Sequence, residues 1–518
     1  MTSTFHGLEV AKRALSTQQA ALYTTSHNIS NANTEGYSRQ RVNFEQVSTL
    51  TGSRNTERVN SQIGGGVQAG SIERIRDKFL DVQYRNENSK LGYYQSRAEA
   101  MKQMESIMNE PSEQGLSKTM DQFWQSLQDL SVNPEDSGAR SVVKQRGIAV
   151  AETFNYLSNS LNQIRGDLKN QTDITAKEIN SIVDQINNIN KQVGEIEPHG
   201  HVPNDLYDER DRLVDRLSSI ANISVSYEKS SGQPSDIAMG KATIKLTGSG
   251  AENGLTLVDG VASTVNHLHV SYDDDNNIDN FTFYNPSELS EGQDPTTLAD
   301  TQTVAGNSFG SNGELKALME MNGYVISGGP DPEVGGYYNQ MLDGLDEMAT
   351  AFVNEFNEIH RQGTNLVDDQ AYDFFEMGAT GRAAASIEVT DDIKNDTDKI
   401  AASANGDSGD GSNAVLLAEV MNNLDVGLGN KTSVKGYYQS MIGEMGVVTQ
   451  EANRMASNSG VLRQQVEENR SSVSAVSLDE EMTNMIKFQH AYNAAARNMT
   501  TVDEMLDRII NNMGLVGR

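Results

Sequence analysis

Two histidine pairs come closest to metal-binding chemistry, His199 and His201 in "HGH" and His267 and His269 in "HLH". A zinc site needs three or four ligands converging on one point. The second pair falls in a segment that alternates like a strand, so its two rings share a face. The acidic run "DDDNNID", Asp273 to Asp279, begins as a calcium loop does. Such a loop carries glycine at its sixth position and glutamate at its twelfth, where this chain has Ile278 and Tyr284. A hairpin turn between "HLHVSY" and "NFTFY" accounts for the acids better. "GLGNKT", Gly427 to Thr432, is too short to cradle a phosphate and follows no strand. There is no HExxH, and no local signature joins a nucleophile, a base and an orienting group. The residues therefore predict no metal site, no cofactor and no catalytic residue: the chain is not expected to be an enzyme.

The totals narrow the class further. A chain of 518 residues implies several domains, and 36% hydrophobic residues with one Trp supply one or two cores. A net charge of −31 argues against nucleic acid and against an anionic membrane surface. The absence of Cys removes disulfides, thiolate zinc sites and Cys nucleophiles together. No apolar run is long enough to span a membrane, and "MTSTFHGLEVAKRAL" lacks the apolar core of a secretory signal. By these rules the chain is cytoplasmic unless its export uses another route.

What remains is architecture. Leu8, Leu15, Leu22 and Ile29 recur at seven-residue steps, with Ala11, Gln18 and Thr25 between them: a helix with one thin apolar seam. Met485, Phe488, Tyr492, Ala495, Met499, Val502, Leu506, Ile509 and Met513 alternate by three and four. That is an a/d stripe of about four heptads, roughly 40 Å as a helix. Such stripes usually pack on their own domain core. Here the matching seam stands at the other end of the chain, which predicts that the two end helices pair as a coiled coil.

Between them, Leu91 to Glu110, Leu116 to Leu130 and about Ala139 to Val193 are helix-periodic, and Asn204 or Asp205 is placed to cap "LYDERDRLVDRLSSI". From about Ile223 to Phe309 the period falls to two, as in short strands. Helix returns in "GELKALMEMNGYVI" and "YYNQMLDGLDEMATAFVNEFNEIHRQG". The predicted fold is mostly α with a β-rich insertion. Its inner coiled-coil domain takes 1–35 and 478–518. An elongated helical body takes 36–222, with the joint loop at its start, then 311–363 and 414–477. The outer β domain is 223–310, and 364–413 is mixed irregular and β. The order is nested, with the termini together and the β-rich part farthest away.

Two stretches carry a resemblance. "HNISNANTEGYSRQRVNF" resembles the N-terminal motif of the bacterial flagellar axial proteins, the rod, hook and hook-associated proteins, through Asn31, Ala32, Asn33, Thr34, Gly36 and Tyr37. "SLDEEMTNMIKFQHAYNAAARNMTTVDEMLDRIINNMG" is similar to their C-terminal signature. Leu478, Asp479, Glu480, Glu481, Phe488, Gln489, Ala491, Tyr492, Ala495, Arg497, Asp503 and Met505 carry that match. "PNDLYDERDRLVDRLS" and "LDEMATAFVNEFNEIHRQG" look like the body of the hook-associated members found at the hook–filament junction.

The resemblance implies a structural protein exported through the growing flagellum by a type III apparatus, without a cleaved signal. It implies assembly at the distal end of the hook, where the protein adapts the hook to the filament. The implied partners are further copies in a tubular lattice, the hook protein, the next junction protein and a cytoplasmic export chaperone. A hook protein or other axial component remains an alternative, as does a non-flagellar coiled-coil scaffold. In this frame the a/d residues are expected to be the subunit contacts. The loop with Asn31, Asn33, Gly36 and Tyr37 is expected to be a joint, with turn geometry at Asn33 and Gly36.

Overall fold

The computed structural model describes residues 5–47, 64–108, 115–248, 254–327, 329, 333–368, 370–379, 381–423, 427–428 and 432–512. The fold is mostly helical with a β-rich insertion. Helix α1 (His6–Ser30) leads through a short loop into a hairpin, β1 (Gln40–Gln46) and β2 (Val67–Arg74). Helices α2 (Lys78–Met108), α3 (Leu116–Val132), α4 (Ser137–Ile196) and α5 (Asn204–Ile220) follow. The insertion holds β3 (Ile223–Glu228), β4 (Lys241–Leu246), β5 (Leu255–Asp259), β6 (Thr264–Val265), β7 (His267–Tyr272), β8 (Ile278–Tyr284) and β9 (Gln302–Ala305).

After it come α6 (Glu314–Asn322), β10 (Tyr324–Ser327), β11 (Glu333–Gly335) and α7 (Tyr337–Gln362). A region of short elements, β12 (Phe375–Met377), α8 (Ala383–Ser386), β13 (Ile387–Val389) and α9 (Asp391–Asn395), precedes α10 (Ser412–Glu419). Two long helices, α11 (Val434–Ser474) and α12 (Leu478–Asn512), end the described chain.

Helix α4 is the spine. It is 60 residues long, roughly 90 Å, and Asp136 caps it by accepting from Gly138 N at 2.8 Å. Its inward residues change partners midway. Val143, Val150, Phe154, Leu161 and Leu168 pack into a first core with α3, α7 and the short elements around Phe374 and Phe375. Ile179, Val183, Ile186 and Val193 pack into a second core with α5, α6 and the strands.

Strands β3 to β11 form two sheets, β3-β4-β5-β6 and β11-β10-β8-β7, with β9 also hydrogen-bonded to β8. The turn between β7 and β8 is built by Asp273, whose Oδ1 accepts from Asp275 N (3.0 Å) and Asn277 N (2.7 Å). The second sheet extends beyond residue 310, because "GELKALMEMNGYVI" is not helical throughout. The helix stops at Gly323, φ +122°, where a Cβ would stand 2.3 Å from Asn339 Nδ2. Only glycine fits there, and the next residues turn into β10.

Two further expectations change. Helix α2 begins at Lys78 rather than Leu91, because the inward face of its first turns is Asp81, Arg85, Asn88 and Ser89, which an apolar period does not reveal. Neither Asn204 nor Asp205 caps α5; Pro203 holds the cap position. Their side chains bind Gln40 and Ile72 of the β1–β2 hairpin instead. One edge of the β-rich part also reaches the end of the β1–β2 hairpin. Tyr227 of β3 donates to Asp211 of α5 at 3.2 Å, and Asp211 also meets Arg74 at the end of β2.

Candidate functional site: the terminal helix pair and its joint

Helices α1 and α12 pack against each other in antiparallel fashion. A Cβ on Gly7 would touch Val502 at 3.5 Å, and Asn28 Nδ2 donates to Glu481 Oε2 at 3.1 Å. These two contacts stand three heptads apart on both helices, so one register runs the length of the pair. The β1–β2 hairpin is the third member. Thr17 Oγ1 donates to Val67 O at 3.2 Å, Arg13 to Gly65 O at 3.1 Å, and Phe44 meets Phe488 edge-on at 5.9 Å. We call α1, β1, β2 and α12 together the terminal unit.

The predicted contact residues are distributed unevenly. Leu8, Leu15, Leu22 and Ile29 are all half-buried, and stand at the margin of the contact. The buried residues of α1 are Ala11, Thr17, Ala21, Thr24, Thr25 and Asn28. Small side chains in that seam let the two backbones approach closely, and the bulkier leucines flank them. On α12, Ala495 and Leu506 are buried, and Met485, Phe488, Met499 and Val502 are half-buried. Tyr492 and Ile509 are exposed. Met513 lies outside the described residues. A second apolar set on α12, Leu478, Met482, Ile486, Met505 and Ile510, is open to solvent, with Ile510 68% exposed.

The joint loop is clamped by its own chain. Asn28 is the centre: its amide donates to Gln40 O (2.8 Å), and its Oδ1 accepts from Gln40 N (3.0 Å) and from the Tyr37 hydroxyl (2.8 Å). A side-chain amide thus stands where a strand partner would. Burial, then the nearby Asp208, Asp205 and Glu481, pushes the Tyr37 hydroxyl well above its ordinary range. It therefore stays a neutral donor. Asn31 closes α1, its Nδ2 donating to His27 O at 3.1 Å. Gly36 takes φ +80°, whereas Asn33 is not among the residues with positive φ. Arg39 grips Glu480 with both terminal nitrogens at 2.8 Å and Glu481 with Nε at 2.8 Å.

Beneath the loop lies a charge cluster that the sequence reasoning missed. Arg74 meets Asp208 (2.7 Å) and Asp211 (3.0 Å). Arg76 meets Asp81 (2.9 Å) and Asp211 (3.2 Å). Arg85 and Arg470 meet the two oxygens of Asp215 at 2.8 and 2.7 Å. None of these eight side chains is more than 12% exposed. Burial alone would raise Asp211, but Arg76, Arg74, Arg85 and Arg210 hold it well below the usual carboxylate range. Burial does raise Asp208, against the pull of Arg74. Such a cluster adds little net stability but penalises every arrangement that leaves a charge unpaired. Its signal in sequence is Asp208, Asp211 and Asp215 at steps of three and four on one face of α5. Most such faces are simply solvated.

The other candidates are not brought together in a common site among the described residues. His267 Nε2 lies 3.1 Å from Asp184 Oδ1, and His199 and His201 are exposed. Part of Gly427 to Thr432 lies outside the described residues. Among the described residues, no cluster of three His, Cys, Asp or Glu side chains that could hold a metal and no helix long and apolar enough to cross a membrane is present.

Comparison with known proteins divides the chain along the same lines. Residues 101–375 match the flagellar hook-associated protein FlgK helical domain. Residues 8–37 match the flagella basal body rod protein family, and 468–513 match the flagellar basal body rod FlgEFG protein C-terminal family. The first of these last two covers α1 and the joint loop; the second covers the end of α11 and α12. The flagellar hook-associated protein 1 of Bacillus subtilis is 45% identical over 525 residues, covering 100% of both chains. That of Escherichia coli is 25% identical over 560 residues, 97% of this chain and 98% of the other. The solved flagellar hook junction protein FlgK from Burkholderia pseudomallei shares the fold, with a TM-score of 0.59 at 14% identity. That match covers 77% of this chain and 100% of that one.

Proposed function

The chain belongs to the flagellar hook-associated protein 1 family, and from that premise we propose that it is the structural junction between hook and filament of the bacterial flagellum. It assembles at the distal end of the hook and adapts it to the filament. Its relatives are structural proteins of the flagellum, and no catalytic step is assigned to it. The observation that carries this reading is the terminal unit. The segments shared with rod proteins are the two that pair across the whole chain, through Asn28 and Glu481. The segment matching the hook-associated family forms much of the body between them.

The finer parts of the reading are these. The chain leaves the cytoplasm by the flagellar type III route, accompanied before export by a chaperone. Its partners in place are further copies of itself in a tubular lattice, the hook protein below and the next junction protein above. The a/d residues of α12 and the seam of α1 line the inner wall, and the second apolar set of α12, from Leu478 to Ile510, faces neighbouring subunits. Support for this last point comes from the exposure of that set in the single chain. Large uncovered apolar patches mark interaction surfaces. The helical body forms the wall contacts, and the β-rich part is turned outward.

Deletion of the gene tests the junction role. Hooks without filaments, with flagellin lost to the medium, are expected; intact filaments would reject it. Electron microscopy of the purified protein separates a hook protein, which would form long curved tubes, from a junction protein, which would not.

A further inference from the structure

The chain has 20 methionines and no cysteine. Five of those methionines, Met101, Met104, Met341, Met441 and Met445, line one cavity of about 200 Å³ between α2, α7 and α11. Met101 and Met104 are neighbours on one face of α2, and Met441 and Met445 on one face of α11. Met341 comes from α7. Four of the five are buried and belong to the first core, while Met441 is half-buried at its edge. A Cβ on Gly344 would stand 2.8 Å from Met441 Sδ. That glycine makes room for the sulfur against the backbone of α7, so the thioether lies in the helix interface.

Methionine often fills an irregular gap in a core. Gap-filling closes a space, whereas these side chains from three helices surround one. Neither His nor Cys is among the lining, and the one carboxylate there, Glu444, is exposed. Calcium and magnesium take oxygen ligands, and zinc takes imidazole, thiolate or carboxylate. Thioethers are soft, neutral donors that select Cu(I), and Ag(I) shares its filled d shell and single charge. One positive charge costs less to bury than two. Glu444 at the rim offsets part of that cost, as does Glu347, which accepts from the Tyr437 hydroxyl at 2.8 Å. Half-buried Tyr437 and Met441 put the cavity within reach of solvent.

We propose that the cavity between α2, α7 and α11 is a binding site for a soft monovalent metal ion, Cu(I) or Ag(I), held by methionine thioethers from all three helices. Spacing rules for His, Cys and carboxylate ligands do not reach such a site. A bound ion ties α11, the helix that leads into α12, to the first core. The site is independent of the junction role, so either can fail while the other stands.

Titration calorimetry of the full chain with silver nitrate, in chloride-free buffer, is expected to show a single tight equivalent. The same chain should take Cu(I) from bicinchoninate under anaerobic reducing conditions. Met341→Leu and Met441→Leu keep volume and apolar character, and each should weaken both ions more than about tenfold. Met319→Leu, in the second core, should leave them unchanged. A thioether has no proton to exchange, so Ag(I) affinity should be equal at about pH 5 and about pH 7, where histidine ligands would release the ion in acid. Absence of a tight equivalent in the parent overturns the site. So does one that survives both cavity variants, weakens equally in Met319→Leu or falls in acid, because its ligands then lie elsewhere.

Discussion

In the first core, Phe123 is fully buried and touches four other aromatic rings, Phe352, Phe356, Phe374 and Phe375, at centroid distances of 5.4–6.4 Å. In the terminal unit, the residues of α1 that reach comparable burial are Ala11, Ala21 and a set of threonines, with Asn28. Both regions are built from long helices, and the difference lies in what they hide. A buried Phe or Leu side chain gains roughly 1.5–3 kcal/mol, while ordering each backbone residue costs on the order of 1–2 kcal/mol. The core meets that cost within one chain. The terminal pair hides small groups and leaves its larger apolar residues, Met482, Ile486, Met505 and Ile510, in water. The body is finished within one chain, and the terminal unit leaves apolar surface uncovered.

The contrast can be broken at several points. The largest effect is expected for Phe123→Ala, which should lower the stability of the free chain by about 4 kcal/mol in denaturant titration. A loss under about 1 kcal/mol would mean that the first core is not the stable part. At the boundary, Asp211→Asn leaves Arg74 and Arg76 short of a buried partner. A loss of about 3 kcal/mol is expected in the same measurement.

A pH titration sharpens the comparison from the body side. Burial pushes His360 down to about 4. Its Nδ1 donates to Tyr372 O at 2.7 Å and its Nε2 accepts from Ala401 N at 3.0 Å, so the neutral ring is the one that fits. Its folded pKa lies below the unfolded value near 6.5. The unfolded chain therefore takes up the proton first as pH falls. Stability is full above about pH 6.5 and declines through the window down to about 4, by roughly 3 kcal/mol. Urea unfolding of the parent and of His360→Asn across that window should differ in slope; parallel profiles would remove His360 from the account.

On the terminal side the effects on the free chain shrink. Ile510→Ser, in the exposed set of α12, should cost no more than about 0.5 kcal/mol, too little to disturb the body, yet should prevent filament attachment when it replaces the parent in cells. Normal filaments would put the subunit contacts elsewhere. Limited proteolysis of the free chain should trim α1 and α12 before it cuts α4 or α7. Equal protection of ends and body would erase the distinction between the two regions.

How much of this was legible follows from the same difference. The body announced itself because its helices bury Leu, Ile and Phe at helical spacing, and the period in Ile179 to Ile189 leads straight to the spine. Strands β3 and β7 alternate as half-buried strands should, whereas β4, β5 and β8 bury consecutive residues over part of their length. The terminal pairing was legible from the stripe on α12. The register was not, because the seam of α1 consists of Ala, Thr and Asn, residues that usually mark an exposed face. The β1–β2 hairpin was missed because β2, "VQAGSIER", has no buried apolar residue, so no alternation betrays it. The start of α2 and the cluster around Asp211 were missed together: charges facing inward have the same spacing as charges facing water. Only a partner from a distant part of the chain distinguishes the two.

Asn28 and Glu481 are 453 residues apart in sequence. Ribosomes release a chain from one end, so α1 exists long before α12 does and has nothing to pair with meanwhile. Closing so long a loop carries an entropy cost, and contacts so distant in sequence are slow to form. A chain cut short between Ser474 and Glu481 would still hold every residue of both cores, but it would leave Asn28 and Arg39 without their carboxylates. The joint therefore closes only in a chain that has been made as far as α12.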